Sequence, residues 1–76
     1  MKNYDAVMLG DILTDDQISE LLGVVSAMRG DPTEPKNIML LKQLFHLHEK
    51  SLLEKGVLPD YLAYVVAYKI AQGKLV

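Results

Sequence analysis

The sequence of 76 residues contains no cysteine and no tryptophan, a single phenylalanine and a single arginine. Without cysteine the chain can form neither a disulfide nor a thiolate zinc site, two devices that often stabilise small domains. The absence of cysteine is typical of a reducing compartment, and we expect the protein to be cytoplasmic. No uncharged run approaches the roughly 18 apolar residues that cross a bilayer, so we expect no membrane association.

Apolar residues are abundant for so short a chain. Half of the residues are hydrophobic, and the mean hydropathy is +0.13. A single domain of this length buries only about 60% of the surface that its unfolded chain exposes. We therefore expect one domain over residues 1–76 whose apolar side chains are not all accommodated in a monomer core.

Three segments begin and end as helices do. Thr14 and Gln17 have the spacing of a capping box, and Pro35 and Pro59 suit first helical turns. Glycines follow each segment and favour helix termination. The sequence predicts helices at about 15–29, 35–55 and 59–72. It therefore predicts an all-α fold, a small three-helix bundle, with residues 1–13 as a short fourth helix or an ordered arm.

The second predicted helix has the widest apolar arc. At 100° per residue, about half of its circumference is apolar, which suits a central helix that touches two neighbours. This arc consists of Ile38, Leu40, Leu41, Leu44, Phe45, Leu47 and Leu52.

The third predicted helix carries two apolar faces. Its aliphatic side chains line one side, whereas Tyr61, Tyr64 and Tyr68 recur at i, i+3 and i+7 on the other, flanked by Val65. Valine and tyrosine also favour strands, but the apolar residues do not alternate and no comparable second strand is present. A helix that is apolar nearly all round is usually buried.

Two histidines are candidate functional residues on the second predicted helix. His46 and His48 point about 200° apart on a helix, so they cannot bind one metal ion together. His46 falls on the polar face and is interpreted as a surface side chain. His48 falls within the apolar arc, which makes it a possible buried polar site. It is either a hydrogen-bonded core histidine or a pH-sensitive or ligand-binding group.

Sequence motifs of catalysis or cofactor binding are missing. There is no HExxH sequence, and the five glycines are scattered between helices instead of forming a phosphate-binding loop. The carboxylates at Asp11, Asp15 and Asp16 are explained by capping and by the helix dipole. We therefore expect no enzyme activity, no cofactor and no metal.

The alternative that involves nucleic acid is a helix-turn-helix, since Gly56 lies in a short connection between the last two predicted helices. A recognition helix must offer basic or amide side chains to base edges, and the third helix offers only Lys69 and Gln72. Residues 1–35 carry seven acids and two bases, a net −5. Residues 36–76 carry six bases and three acids, a net +3. We therefore expect no nucleic-acid partner.

The tyrosine stripe, defined as Tyr61, Tyr64 and Tyr68, carries the functional interpretation. Tyrosine is enriched in interfaces because it supplies a large area with a polar tip. The stripe, flanked by Val65, either contacts another chain or packs under residues 1–13. The sequence thus favours a non-enzymatic helical interaction or regulatory module that forms a homodimer or binds another protein, with a DNA-binding regulator as the alternative.

Overall fold

The computed structural model describes residues 9–73, and this part of the chain contains five helices and no β-strand. The helices are α1 (Leu9–Ile12), α2 (Asp15–Ala27), α3 (Pro35–Leu47), α4 (Glu49–Glu54) and α5 (Pro59–Ala71). The predicted all-α fold is therefore confirmed. Within the predicted arm or short helix at 1–13, residues 9–12 form α1. Residues 1–8 lie outside the described part of the chain.

The helix starts form where local chemistry predicts them. The Thr14 hydroxyl accepts a hydrogen bond from the Gln17 backbone N–H at 3.2 Å. The Gln17 side-chain oxygen accepts one from the Thr14 N–H at 2.9 Å, which completes the capping box. Pro35 and Pro59 are the first residues of α3 and α5, where the missing N–H of proline removes no helical hydrogen bond.

The predicted single helix over 35–55 is wrong, because the chain bends at His48. The backbone there has φ −110° and ψ 24°, and its N–H bonds to the Phe45 carbonyl in a tightened turn. The bend allows α5 to start beside the end of α3, where Asp60 contacts His46. As a result, two helices of thirteen residues pack along each other. A straight helix to residue 55 would carry the start of α5 about 12 Å beyond Leu47.

Helix α3 is the central element, as its apolar arc predicts, but the buried arc is narrower than predicted because Leu40 and Leu47 are 39% and 79% exposed. It packs against α2 on one side and α5 on the other. Both neighbours run antiparallel to it. Asn37 at its start contacts the Arg29 carbonyl just after α2, and His46 near its end contacts Asp60 at the start of α5.

The core draws side chains from all five helices and from Leu13 between α1 and α2. Its buried members are Leu9, Leu13, Leu21, Ile38, Leu41, Leu44, Phe45, Leu52, Leu62, Ala63, Val66 and Ala67. Within residues 9–73 no helix combines the length and the apolar character that crossing a membrane would require.

The loop between α2 and α3 is held by its own side chains. Gly30 has φ 81°, a left-handed conformation that glycine adopts without steric cost. The Asp31 carboxylate accepts hydrogen bonds from the backbone N–H and the hydroxyl of Thr33 at 2.9 and 2.8 Å. These bonds favour the ionised form and lower the pKa of Asp31. The carboxylate of Glu34 accepts a hydrogen bond from the Asp31 N–H at 3.1 Å. The loop thus positions the first turn of α3.

Candidate interaction face

The tyrosine stripe lies on the outer surface of α5. Tyr61, Tyr64 and Tyr68 are 37%, 41% and 42% exposed, respectively. These fractions are similar because the three residues recur on one face of a regular helix. Each ring is thus partly supported by the protein and partly open to contact. Ile12 of α1 lines one groove together with Tyr61.

Val65 was expected to flank this surface, and the structure corrects that expectation. Its exposed fraction is 0%, so it belongs to the interior. Helix α5 is covered on more than one side, because α3 packs on it and Ile12 of α1 lines a groove together with Val65. The buried arc of α5 is therefore wider than the arc that contact with α3 alone would cover.

Helix α3 adds polar side chains along the edge of the stripe. The Lys42 Nζ lies 5.0 Å from the centroid of the Tyr64 ring, within the range of a cation–π contact. One turn further along, the His46 Nε2 lies 2.7 Å from Asp60 Oδ1, and its Nδ1 lies 3.8 Å from Glu49 Oε2. The Lys42–Tyr64 and His46–Asp60 contacts tie the outer surfaces of α3 and α5 together, and the first of them orients the Tyr64 ring.

Two grooves flank the stripe. The first, which we name the helix groove, lies between α3 and α5 and has a volume of about 290 Å³. It is lined by Thr33, Pro35, Ile38, Met39, Lys42, Tyr64 and Tyr68. The second, the connector groove, lies beside the turn that leads into α5 and has a volume of about 330 Å³. It is lined by Ile12, Gly56, Val57, Leu58, Tyr61, Leu62 and Val65. The tyrosine stripe therefore joins two grooves into one surface.

His48 was predicted as a possible buried polar site, and the structure shows it only partly buried. Its side chain is 23% exposed, and its Nε2 lies 2.7 Å from Glu20 Oε1. The contact joins α2 to the α3–α4 junction, so the structure gives His48 a clear structural partner.

The most useful residues that the sequence reasoning missed are Met39 and Leu58. Met39 is 52% exposed and lines the helix groove, and Leu58 is 64% exposed and lines the connector groove. A sequence signal exists for Met39, which falls in one row with Lys42 and His46 at helical spacing. Leu58 has no comparable signal, because it lies outside any periodic segment.

The same surface bears on the DNA-binding alternative. The exposed positions of α5 are Asp60, Tyr61, Tyr64, Tyr68 and Ala71, and Gln72 directly after the helix is also exposed. Lys69 is 5% exposed and therefore belongs to the packed side of the helix. The outer face of α5 thus offers tyrosine and one carboxylate where a recognition helix offers cationic side chains.

In residues 9–73 no three histidine or carboxylate side chains are grouped as they would be to hold a metal ion. No protein-family model, no curated protein sequence and no solved structure matches this chain. The interpretation of the tyrosine stripe therefore rests on its own geometry.

Proposed function

We propose that this protein is a non-enzymatic, cytoplasmic helical interaction module that forms a homodimer through its tyrosine stripe. The observation that carries the proposal is the alignment of Tyr61, Tyr64 and Tyr68 on one face of α5, each about two-fifths exposed. Aromatic side chains that are supported from below and open above are the typical anchors of protein interfaces.

The chemistry of the stripe supports a protein partner. A tyrosine brings a large apolar area, a hydroxyl that can remain hydrated at the rim, and few rotatable bonds to immobilise. Lys42 over Tyr64 and the His46–Asp60 contact restrict the neighbouring side chains before any partner arrives. Such preorganisation lowers the entropic cost of binding.

A homodimer is favoured by the size of the chain. A domain this small, without a disulfide, gains stability when it buries apolar surface that its own core leaves exposed. A two-fold symmetric dimer presents the same surface on both copies, so one stripe meets another. Tyr64 occupies the centre of the stripe, where truncation of an interface residue costs most.

Sedimentation equilibrium of the wild type and of Tyr64→Glu tests this proposal. We expect a wild-type dimer at micromolar concentrations and a monomeric variant, because a carboxylate at the centre of a desolvated contact finds no partner. Tyr64→Ala should weaken the dimer by about 2 kcal/mol or more, roughly 30-fold in Kd.

Leu40→Glu is the matched control. Leu40 is 39% exposed against 41% for Tyr64, and it lies on α3 outside both grooves. This variant should remain dimeric, and circular dichroism should show that both glutamate variants stay helical. A wild type that remains monomeric throughout the concentration range, or a Leu40→Glu variant that dissociates as Tyr64→Glu does, would contradict the proposal.

A further inference from the structure

The connector groove is an apolar depression beside the tyrosine stripe. Its floor is formed by Leu62 and Val65, which are 1% and 0% exposed, and Leu58 stands at its rim with 64% exposed. Ile12 of α1 and Val57 complete its apolar lining. A volume of about 330 Å³ is within the range of pockets that hold small organic groups, so one aromatic ring fits.

The stripe alone is too small for a stable dimer. With roughly 250 Å² for a whole tyrosine, the exposed fractions leave about 300 Å² of tyrosine surface. A stable interface buries about 800 Å² on each partner. The remainder must come from surface that is continuous with the stripe. The connector groove meets this condition, because Tyr61 belongs to both and Leu58 extends the apolar surface beyond it.

Two-fold symmetry determines what would enter the groove. When two α5 helices cross antiparallel at Tyr64, a residue before the centre on one copy faces a residue equally far after it on the other. Leu58 lies six residues before Tyr64, and Ile70 in the last turn of α5 lies six residues after it, with Ala71 as the next residue. The rim of the groove therefore faces the last turn of the opposite α5, in which Tyr68 supplies an exposed aromatic ring.

We propose that, in the homodimer, the connector groove of each copy receives the last turn of α5 of the other copy, with the ring of Tyr68 of the partner subunit against Leu58. This inference rests on the proposed self-association and specifies its second contact region. The occupant is a second copy of this chain, because the symmetry that pairs the stripes also places an aromatic residue at the groove.

Site-specific cross-linking tests the contact directly, since the natural chain has no cysteine. Leu58→Cys and Ala71→Cys are prepared separately, mixed, allowed to exchange subunits and oxidised mildly. A disulfide needs Cα atoms within about 7 Å. Neither variant should cross-link to itself, because two copies of residue 58 lie about 18 Å apart along antiparallel helices centred on residue 64.

The matched control replaces Leu58→Cys by Leu47→Cys. Leu47 is 79% exposed and lies at the end of α3, outside both grooves. We expect the mixture of Leu58→Cys and Ala71→Cys to give about tenfold more covalent dimer than the Leu47 mixture, because the interface holds one pair of thiols at high effective concentration. Equal yields from both mixtures would show random collision and would overturn the inference.

The two proposals fail in distinguishable ways. Suppose that the wild type is a dimer and that Tyr64→Glu dissociates it, but that Leu58→Cys and Ala71→Cys do not cross-link. This result overturns the groove contact and leaves the tyrosine interface in place. A wild type that sediments as a monomer overturns both.

Discussion

At the scale of single residues, the polar group most deeply embedded in the described part of the protein is the side-chain amide of Asn37. The residue is 2% exposed, and its Nδ2 donates hydrogen bonds to the carbonyl oxygens of Arg29 and Asp31, both at 2.8 Å. These bonds fasten the loop after α2 onto the first turn of α3. A buried amide that donates both hydrogens is stable only where two acceptors are fixed in place.

Asn37→Ala should therefore destabilise the fold by about 1–3 kcal/mol, because the carbonyl groups of Arg29 and Asp31 lose the donor that fastens the loop. Asn37→Asp should be at least as damaging, since a carboxylate would face two carbonyl oxygens without a proton to donate. Gln43→Ala, at an exposed position on the same helix, should change stability by no more than about 0.5 kcal/mol. Urea denaturation of the three variants measures these differences. Equal midpoints for Asn37→Ala and Gln43→Ala would contradict the structural role of the amide.

At the scale of secondary-structure elements, the glycines separate into two kinds. Gly23 lies in the middle of α2, is exposed, and has nothing within 4 Å of the position that a Cβ atom would take. Gly56 has the same free space but a φ of 74°. The first glycine weakens a helix through its backbone entropy, and the second permits a left-handed turn between α4 and α5.

The same substitution should therefore have opposite effects at these two positions. Gly23→Ala should raise the free energy of unfolding by about 0.4–1 kcal/mol, because alanine restricts the unfolded chain and favours the helix. Gly56→Ala should lower it by about 1–2 kcal/mol through left-handed strain. Thermal melts followed by circular dichroism at 222 nm compare the two variants. A lower free energy of unfolding for Gly23→Ala would contradict the free space that surrounds this position of α2.

At the scale of the whole molecule, the arrangement of charge argues against a nucleic-acid surface. The net charge is −2, and the chain has one arginine. Three lysines of residues 36–76 either contact another group of the protein or are buried. Lys42 lies over Tyr64, Lys55 donates to the Ile12 carbonyl at 2.8 Å, and Lys69 is 5% exposed. A duplex-binding protein instead presents its cations along one exposed face.

We expect the protein to bind mixed-sequence duplex DNA no tighter than about 10⁻⁴ M at physiological salt, the weak limit of non-specific binding. Fluorescence anisotropy with a labelled duplex measures this, and repetition at several salt concentrations reports how many phosphates are neutralised. Micromolar binding that weakens steeply as salt increases would favour the DNA-binding alternative over the interaction module.

The sequence alone determined the features whose causes lie within one helical turn. The capping box of Thr14 and Gln17, the prolines that open α3 and α5, and the spacing of the tyrosines all act between neighbouring residues. They could therefore be read without knowing the fold. The central position of α3 was predictable from its apolar arc, although Leu40 and Leu47 of that arc are exposed.

Tertiary structure decided the features that depend on which helices meet. No glycine or proline marks the bend at His48, after which α5 begins beside the end of α3, where Asp60 contacts His46. Val65 is buried because α5 is covered on a second side, and Asn37 finds its two acceptors only when the loop folds over it. These outcomes depend on contacts between residues distant in sequence, whose free energies no local pattern encodes.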